Sequence, residues 1–283
     1  MTARTSPTAR QRRVGAELRR MRVVAGVSAG SAAEVLNVSR SQLSAVEQGL
    51  RAISTQRMRT LASYCGVADE KYVDSLTVLA QPPERGWWEA YRGAVPPGLL
   101  DISELEWHAT RLHTVQTVHL PGLLHQSAYA RAVFGSVIPA LPASEVELRV
   151  AHRMQRQQIL EGDDARQYTG YVHEAALRMQ FGGRRATREQ LTYLCAVSQR
   201  DSITLRVLPV EAGAFPGAGH AMLYAEGAVR LLDTVQLDSA HGPEFTHDES
   251  QLTKYRSHLA WMDQHALSED ASRDFTHAIA REL

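Results

Sequence analysis

The sequence predicts two parts: an all-α N-terminal domain, followed by an α+β domain with a small, mostly antiparallel sheet. Three observations carry this. Apolar residues in the first 68 positions recur at helical spacing between capping residues. Beyond residue 166 that period gives way to short β-rich runs. The charge also divides. Residues 1–68 hold 11 Arg, no Lys and three acids (Glu17, Glu34, Glu47), a balance of +8, whereas the rest holds 20 Lys+Arg against 28 Asp+Glu, a balance of −8, so the whole chain sums to zero. A basic front on an acidic body points to a polyanion partner for the front alone. With 283 residues, 44% of them hydrophobic, there is enough chain for two domains, each with a core.

The opening "MTARTSPTARQRR" (1–13) reads as a basic disordered arm; it lacks the apolar stretch of a secretory signal. The first domain is expected over 14–78. Leu18, Met21 and Val24 give its first helix one face, and Gly26 supplies a left-handed stop. Ser28 caps "AGSAAEVL", whose Ala32 and Ala33 let another helix approach closely. Asn37 suits a left-handed turn, Ser39 caps a third helix closed by Gly49, and Ser54 caps "TQRMRTLASYC", which stops at Gly66. Short helices joined by turns this tight resemble a helix-turn-helix unit.

The third helix, within "VSRSQLSAVEQG" (38–49), is plain: only Val38, Leu43 and Val46 are clearly apolar, and no Lys/Glu pairs decorate a solvent face. The stretch "LRRMRVVAGVSAGSAAEVLNVSRSQLSAVEQGLRAISTQRMRTLASYCGV" resembles the phage-repressor/Cro-type (XRE) helix-turn-helix domain over its whole length. That resemblance implies a DNA-binding domain with 39–48 as its recognition helix, anchored by Leu43 and Val46. Arg40, Ser41, Ser44 and Ala45 then face a major groove, where short side chains let the helix lie deep. Arg40 suits bidentate pairing with guanine, Ser41 and Ser44 bond base edges or phosphates, Ala45 meets a thymine methyl, and Gln42 reaches a base or a phosphate. Ser28, at the start of the second helix, and Arg51 are expected at phosphates, with Arg10, Arg12 and Arg13 over the backbone or in a minor groove. The resemblance also implies a structural ion pair between Glu47 and Arg22. Many members carry Gln after the second-helix cap to bind phosphate; here that position is Ala29.

"LAQPPERG" (79–86) reads as a linker, and the second domain is expected over 87–283. Trp87, Trp88 and Tyr91 cluster in "RGWWEAY". A long helix is expected over Ser103–Thr117, then "PGLLHQSAYARAVF" after a break at Pro121-Gly122, then a helix over 144–160 capped by Ser144. Strands are expected at 166–174, 203–210, 219–226 and 228–235, with helices at 175–182 and 186–198, a tight hairpin around Gly227, and two closing helices.

"LEWHATRLHTVQTVHLPGLLHQSAYARAVF", "RMQRQQIL", "VHEAALRMQFGG", "EQLTYL", "VLPVEAGAFPGAGHAMLY" and "ALSEDASRDFTHAIAREL", in that order, resemble the C-terminal domain of WhiJ-type actinobacterial regulators. The most specific piece is "PGLL" (121–124) with Tyr129-Ala130-Arg131. The resemblance implies an antitoxin-like regulatory domain whose relatives are often encoded beside small acidic partner proteins. His125-Gln126 stand where the family favours Gln-Thr, and Asp233 where a glutamate is usual, which bears on partner choice. Trp87, Trp88, Tyr91, Leu123, Leu124 and Tyr129 are the expected interface residues, for a homodimer or a small partner protein.

No enzyme is expected. His173-Glu174 begins like a zinc-protease "HExxH", but position 177 is Leu. His108, His113, His119 and His125 do not stack on one helix face, and the glycines of "GAFPGAG" (213–219) precede a strand rather than a helix. Glu174 reads as a structural carboxylate bonded to Arg153, Arg156 or Arg178. Neither a cofactor nor a metal is expected, and Cys65 and Cys195 read as buried thiols. No apolar run nears the ~18 residues of a membrane span. The expectation is a cytoplasmic, nucleoid-associated regulator, a repressor acting on a double-stranded operator. Its second domain binds a small partner protein or, alternatively, a small molecule in a pocket beside the sheet.

Overall fold

The computed structural model describes residues 6–81, 86–213, 215–216, 220–239 and 241–283. The chain forms two compact units, one of residues 1–89 together with 228–232, the other of 90–227 and 233–283.

The first unit is helical: α1 (Ala9–Val24), α2 (Ala29–Val35), α3 (Arg40–Glu47), α4 (Thr55–Tyr64) and α5 (Glu70–Ala80). Ser28, Ser39 and Ser54 each accept the backbone N–H three residues on, which stops the chain fraying at three successive helix starts. Asn37 takes a left-handed φ of 50° between α2 and α3. Leu18, Ala32, Leu43, Met58, Leu61 and Leu76 form the centre of the core, and Leu232 from the returning segment is buried with them. Residues 9–13 differ from the expected arm. Thr8 and Gln11 close a capping box, so α1 begins at Ala9, and Arg13 is buried.

The second unit is α+β. Among the described residues six strands, β1 (Arg111–Gln116), β2 (Gln167–His173), β3 (Ile203–Leu208), β4 (Met222–Glu226), β5 (Thr234–Ser239) and β6 (Gly242–Thr246), lie in the order β3-β2-β1-β4-β5-β6. β1, β2 and β3 pair in parallel, while the β1–β4, β4–β5 and β5–β6 pairs are antiparallel. Among the described residues seven α-helices complete the unit: α6 (Pro97–His108), α7 (Ser127–Gly135), α8 (Ala143–Arg156), α9 (Glu174–Arg178), α10 (Gly183–Val197), α11 (Glu249–His265) and α12 (Glu269–Glu282). Alternate strand residues serve two cores. Leu112, Tyr168, Leu205 and Leu223 join one with α10 and α12, and Val115, Tyr171, Met222 and Tyr224 join the other with α11. A bidentate Arg156–Glu106 pair (2.8 and 2.5 Å) ties α8 to α6, both side chains buried.

Several boundaries differ from the sequence reading. The helix expected to run to Thr117 stops at His108; Ala109 turns to extended backbone and the Thr110 N–H donates to the Glu226 carbonyl, opening β1. The expected strand 228–235 is a 3-10 turn at Arg230–Leu232 followed by β5, so the link after Gly227 is a loop rather than a tight hairpin. α8 begins at Ala143 behind Pro142, without a cap from Ser144. Residues 82–85 of the expected linker lie outside the described residues, and Trp87 and Trp88 belong to the first unit.

Candidate nucleic-acid interface

The position of α3 is set by how closely α1 approaches it. A Cβ on Gly15 would lie 2.5 Å from the Glu47 carbonyl oxygen and 2.7 Å from that of Val46. On the other side of the contact, a Cβ on Gly49 (φ 73°) would lie 2.7 Å from the backbone of Gln11 and Arg12. Two glycines thus let α1 press on the C-terminal end of α3, leaving the opposite end of the helix free.

The expected ion pair locks that arrangement. Arg22 Nε donates to Glu47 Oε1 (2.6 Å) and Nη2 to Oε2 (2.9 Å), while Nη1 donates to the Val27 carbonyl (3.1 Å). Both side chains are largely buried, and the hydrogen bonds to Glu47 raise the Arg22 guanidinium above its ordinary range.

A second network lies beneath it. Glu17 accepts from Arg13, Arg20 and the Tyr72 hydroxyl. Burial alone would raise the Glu17 carboxyl, but Arg13, Arg20 and Tyr72 together hold it below the usual carboxylate range. Arg13 also donates to the Leu231 carbonyl (2.6 Å). The sequence reading missed this network; its signal is one acid placed four residues after Arg13 and three before Arg20 on an otherwise basic helix.

The free face of α3 carries the residues expected there. Arg40, Ser41 and Ser44 are exposed, Gln42 and Ala45 half-buried, and Leu43 is buried as the anchor. Arg40 lies across α2: a Cβ on Gly30 would come 2.8 Å from its Nη2. Neither Arg40 nor the exposed Arg51 has an ion-pair or side-chain hydrogen-bond partner among the described residues. Ser41 shares a hydrogen bond with Ser39 (2.8 Å), and Ser44 accepts from Gln48 (2.9 Å). The Gln42 Oε1 accepts the Ser39 N–H (3.0 Å), so this side chain caps α3, which limits its reach toward a base. Ser28 is exposed at the start of α2, its hydroxyl accepting the Ser31 N–H. The arginines expected over DNA from the arm are otherwise engaged: Arg10 donates to the carbonyls of Leu79, Val78 and Gln81, and Arg12 to that of Pro7.

The expected interface residues are largely interior. Trp88, Leu123, Leu124 and Tyr129 are buried within their own units, and Trp87 and Tyr91 are half-buried, with Tyr91 donating to Gln155. The "PGLL" turn is stitched from inside: Gln190 donates to the Leu124 carbonyl and accepts the Gln126 N–H. His125 Nε2 donates to the Leu120 carbonyl (2.8 Å), so its Nδ1 accepts from Arg153 (3.1 Å). The His125-Gln126 departure therefore concerns this turn rather than an exposed partner surface. Asp233 likewise serves the fold, accepting from Tyr224 (2.5 Å) and from the Gly227 N–H (3.0 Å). His173 caps α9, and Glu174 pairs with Arg178 and accepts the Val210 N–H. Cys65 is half-buried, Cys195 buried, and both are free thiols. Among the described residues no His/Cys/Asp/Glu group could hold a metal ion, and no helix is long and apolar enough to cross a membrane.

The family described as Domain of unknown function (DUF5753) matches residues 99–277, well over half the chain. The chain belongs to this family. In this DUF5753 member a second family, described as Helix-turn-helix domain, matches residues 13–74, which span most of α1 through the first part of α5. The helix-turn-helix match supports a DNA-binding regulator. Comparisons of this DUF5753 chain with curated proteins and with solved structures return no match.

Proposed function

We propose that the protein is a cytoplasmic, sequence-specific transcriptional repressor of the XRE type that binds a double-stranded operator as a homodimer. The observation that carries this is α3 itself. It is clamped at its C-terminal end by Gly15 and the Arg22–Glu47 pair, while Arg40 and Ser41 stand exposed at its start and Ser44 about one turn further on. One such unit reads about half of an operator, and two half-sites a helical turn apart call for a two-fold dimer. The first test is selection of binding sites from random duplexes by the full chain. A palindrome with a defined half-site is expected; recovery of unrelated sequences defeats the reading. Sedimentation equilibrium of the full chain checks the dimer, which a monomer at operator-binding concentrations excludes.

The second unit then carries regulation rather than catalysis. Its resemblance to WhiJ-type regulators supports a small partner protein, encoded nearby, that shifts operator affinity. Coupling of this kind is typically about 1–3 kcal/mol, roughly 5–150-fold, and by linkage the operator shifts partner affinity by the same factor. Titration of the neighbouring gene product with and without operator measures both factors. Equal affinities in the two titrations refute the coupling.

A further inference from the structure

Between α11 and the adjacent face of the sheet lies a cavity of about 110 Å³. Its floor is Val115 and Met222, which stand directly opposite each other across the β1–β4 pair. Its wall is one stripe of α11: Tyr255, His258 and Met262 follow at helical spacing, with Lys254 and Gln251 toward the helix start. The depth is apolar, since Val115, Met222 and Met262 are all buried.

The other end is cationic and polar. Lys254 is exposed and has no ion-pair or hydrogen-bond partner among the described residues. Among the described residues no carboxylate lines the cavity. The acids of α11 and its cap are committed elsewhere: Glu249 to Arg256, Asp263 to Arg206, and Asp248 to the backbone N–H groups of Ser250 and Gln251. In a region whose balance is −8, a cavity with an unneutralised ammonium and no facing acid is selective for negative charge. The residue type also fits. Of 31 Lys+Arg only Lys71 and Lys254 are lysines, leaving 31 − 2 = 29 arginines. An ammonium is a compact point charge, suited to the mouth of a small cavity where a planar guanidinium needs more room.

We propose that this cavity binds a small organic monoanion, a carboxylate with a compact apolar body. The body sits among Val115, Met222 and Met262, and the carboxylate meets the Lys254 ammonium. Size limits the class: a cavity of roughly 150 Å³ holds a benzene ring, so this one takes a short branched chain or, at most, a single ring whose charged end projects from the mouth. The inference goes beyond the regulatory reading, and its test contains no DNA, so either can fail without the other.

The experiment is calorimetric titration of the full chain at neutral pH with 3-methylbutanoate and benzoate, beside the neutral 3-methylbutanamide and benzamide. At least one acid is expected to bind saturably and raise the melting temperature, with its amide at least tenfold weaker. Lys254→Met is expected to weaken that acid at least tenfold while leaving the ligand-free melting temperature unchanged, because Lys254 is exposed. Lys254→Arg should retain part of the affinity. The proposal is overturned if neither acid binds saturably in the millimolar range, if acid and amide bind alike, or if Lys254→Met leaves the affinity intact.

Discussion

Replacing Gly15 with alanine is expected to move the recognition helix. The added Cβ would meet the Glu47 carbonyl oxygen at 2.5 Å, where ordinary contact begins at 3.4 Å, so α1 and α3 must part by 3.4 − 2.5 = 0.9 Å. The obstacle is backbone on both sides, and no side-chain rotation relieves it. If the movement lies along the Arg22–Glu47 bonds, their 2.6 and 2.9 Å lengthen to 3.5 and 3.8 Å, beyond useful hydrogen bonding. Overpacking of this kind costs about 1–3 kcal/mol. For a unit of this size each kcal/mol lowers the melting temperature by about 4–8 °C. Thermal unfolding by circular dichroism reads the stability, and titration of a selected operator reads the displacement at a temperature where the variant is folded. Gly135→Ala is the control: it lies at the end of α7, a Cβ there meets nothing within 4 Å, and a neutral or slightly stabilising effect is expected. If Gly15→Ala and Gly135→Ala melt alike and bind operator alike, the close approach does not position α3.

Arg22→Ala and Glu47→Ala should each cost about 1–3 kcal/mol, between an exposed pair and a fully buried one, and the double variant should lose much less than the sum; additive losses in a thermal double-mutant cycle mean no interaction. Arg40→Ala should weaken a selected operator by about 1–3 kcal/mol and relax one base position, whereas Arg51→Ala should weaken all duplexes alike and reduce the salt slope by about one; unchanged base preference for Arg40→Ala removes it from the reading face. The second unit should be acid-sensitive. Burial, followed by nearby arginines, lowers His125 well below 6.5 and His152 to about 3, so the unfolded chain takes up protons that the fold refuses. Stability is then full above pH 6.5 and lost as pH falls below it, by about 2 kcal/mol at pH 5 for His152 alone and more with His125. Melting temperature measured from pH 7.5 to 5 checks this, and a flat profile contradicts it.

What was legible in the sequence was mostly local. Ser28, Ser39, Ser54 and Asn37 announce helix starts and a turn because capping and left-handed backbone depend on a few neighbouring residues. The exposed Arg40, Ser41 and Ser44 follow from what the resemblance to the helix-turn-helix domain implies for this helix. β1 was not legible: "EWHATRLHTV" contains no Gly or Pro, and only the ψ of Ala109 separates helix from strand. β6 was hidden because Pro243 stands at its edge, where no ladder N–H is needed. The role of Gly15 depends on two helices already docked, and no local pattern encodes it. Leu123, Leu124 and Tyr129 looked like surplus apolar surface because the sequence does not say that Gln190 and His125 turn the "PGLL" segment inward.

The segment 228–232 bears on the order in which the protein is finished during synthesis. The first unit is contiguous to Glu89, but its remaining piece comes 228 − 89 = 139 residues later. At about 5–20 residues per second, the ribosome needs roughly 7–28 s to cover that distance. Through that interval the nascent helical unit lacks Leu232 in its core and the Leu231 carbonyl that Arg13 is bonded to. The unit made first is therefore completed late, and a chain released early leaves the ribosome without a whole DNA-binding unit.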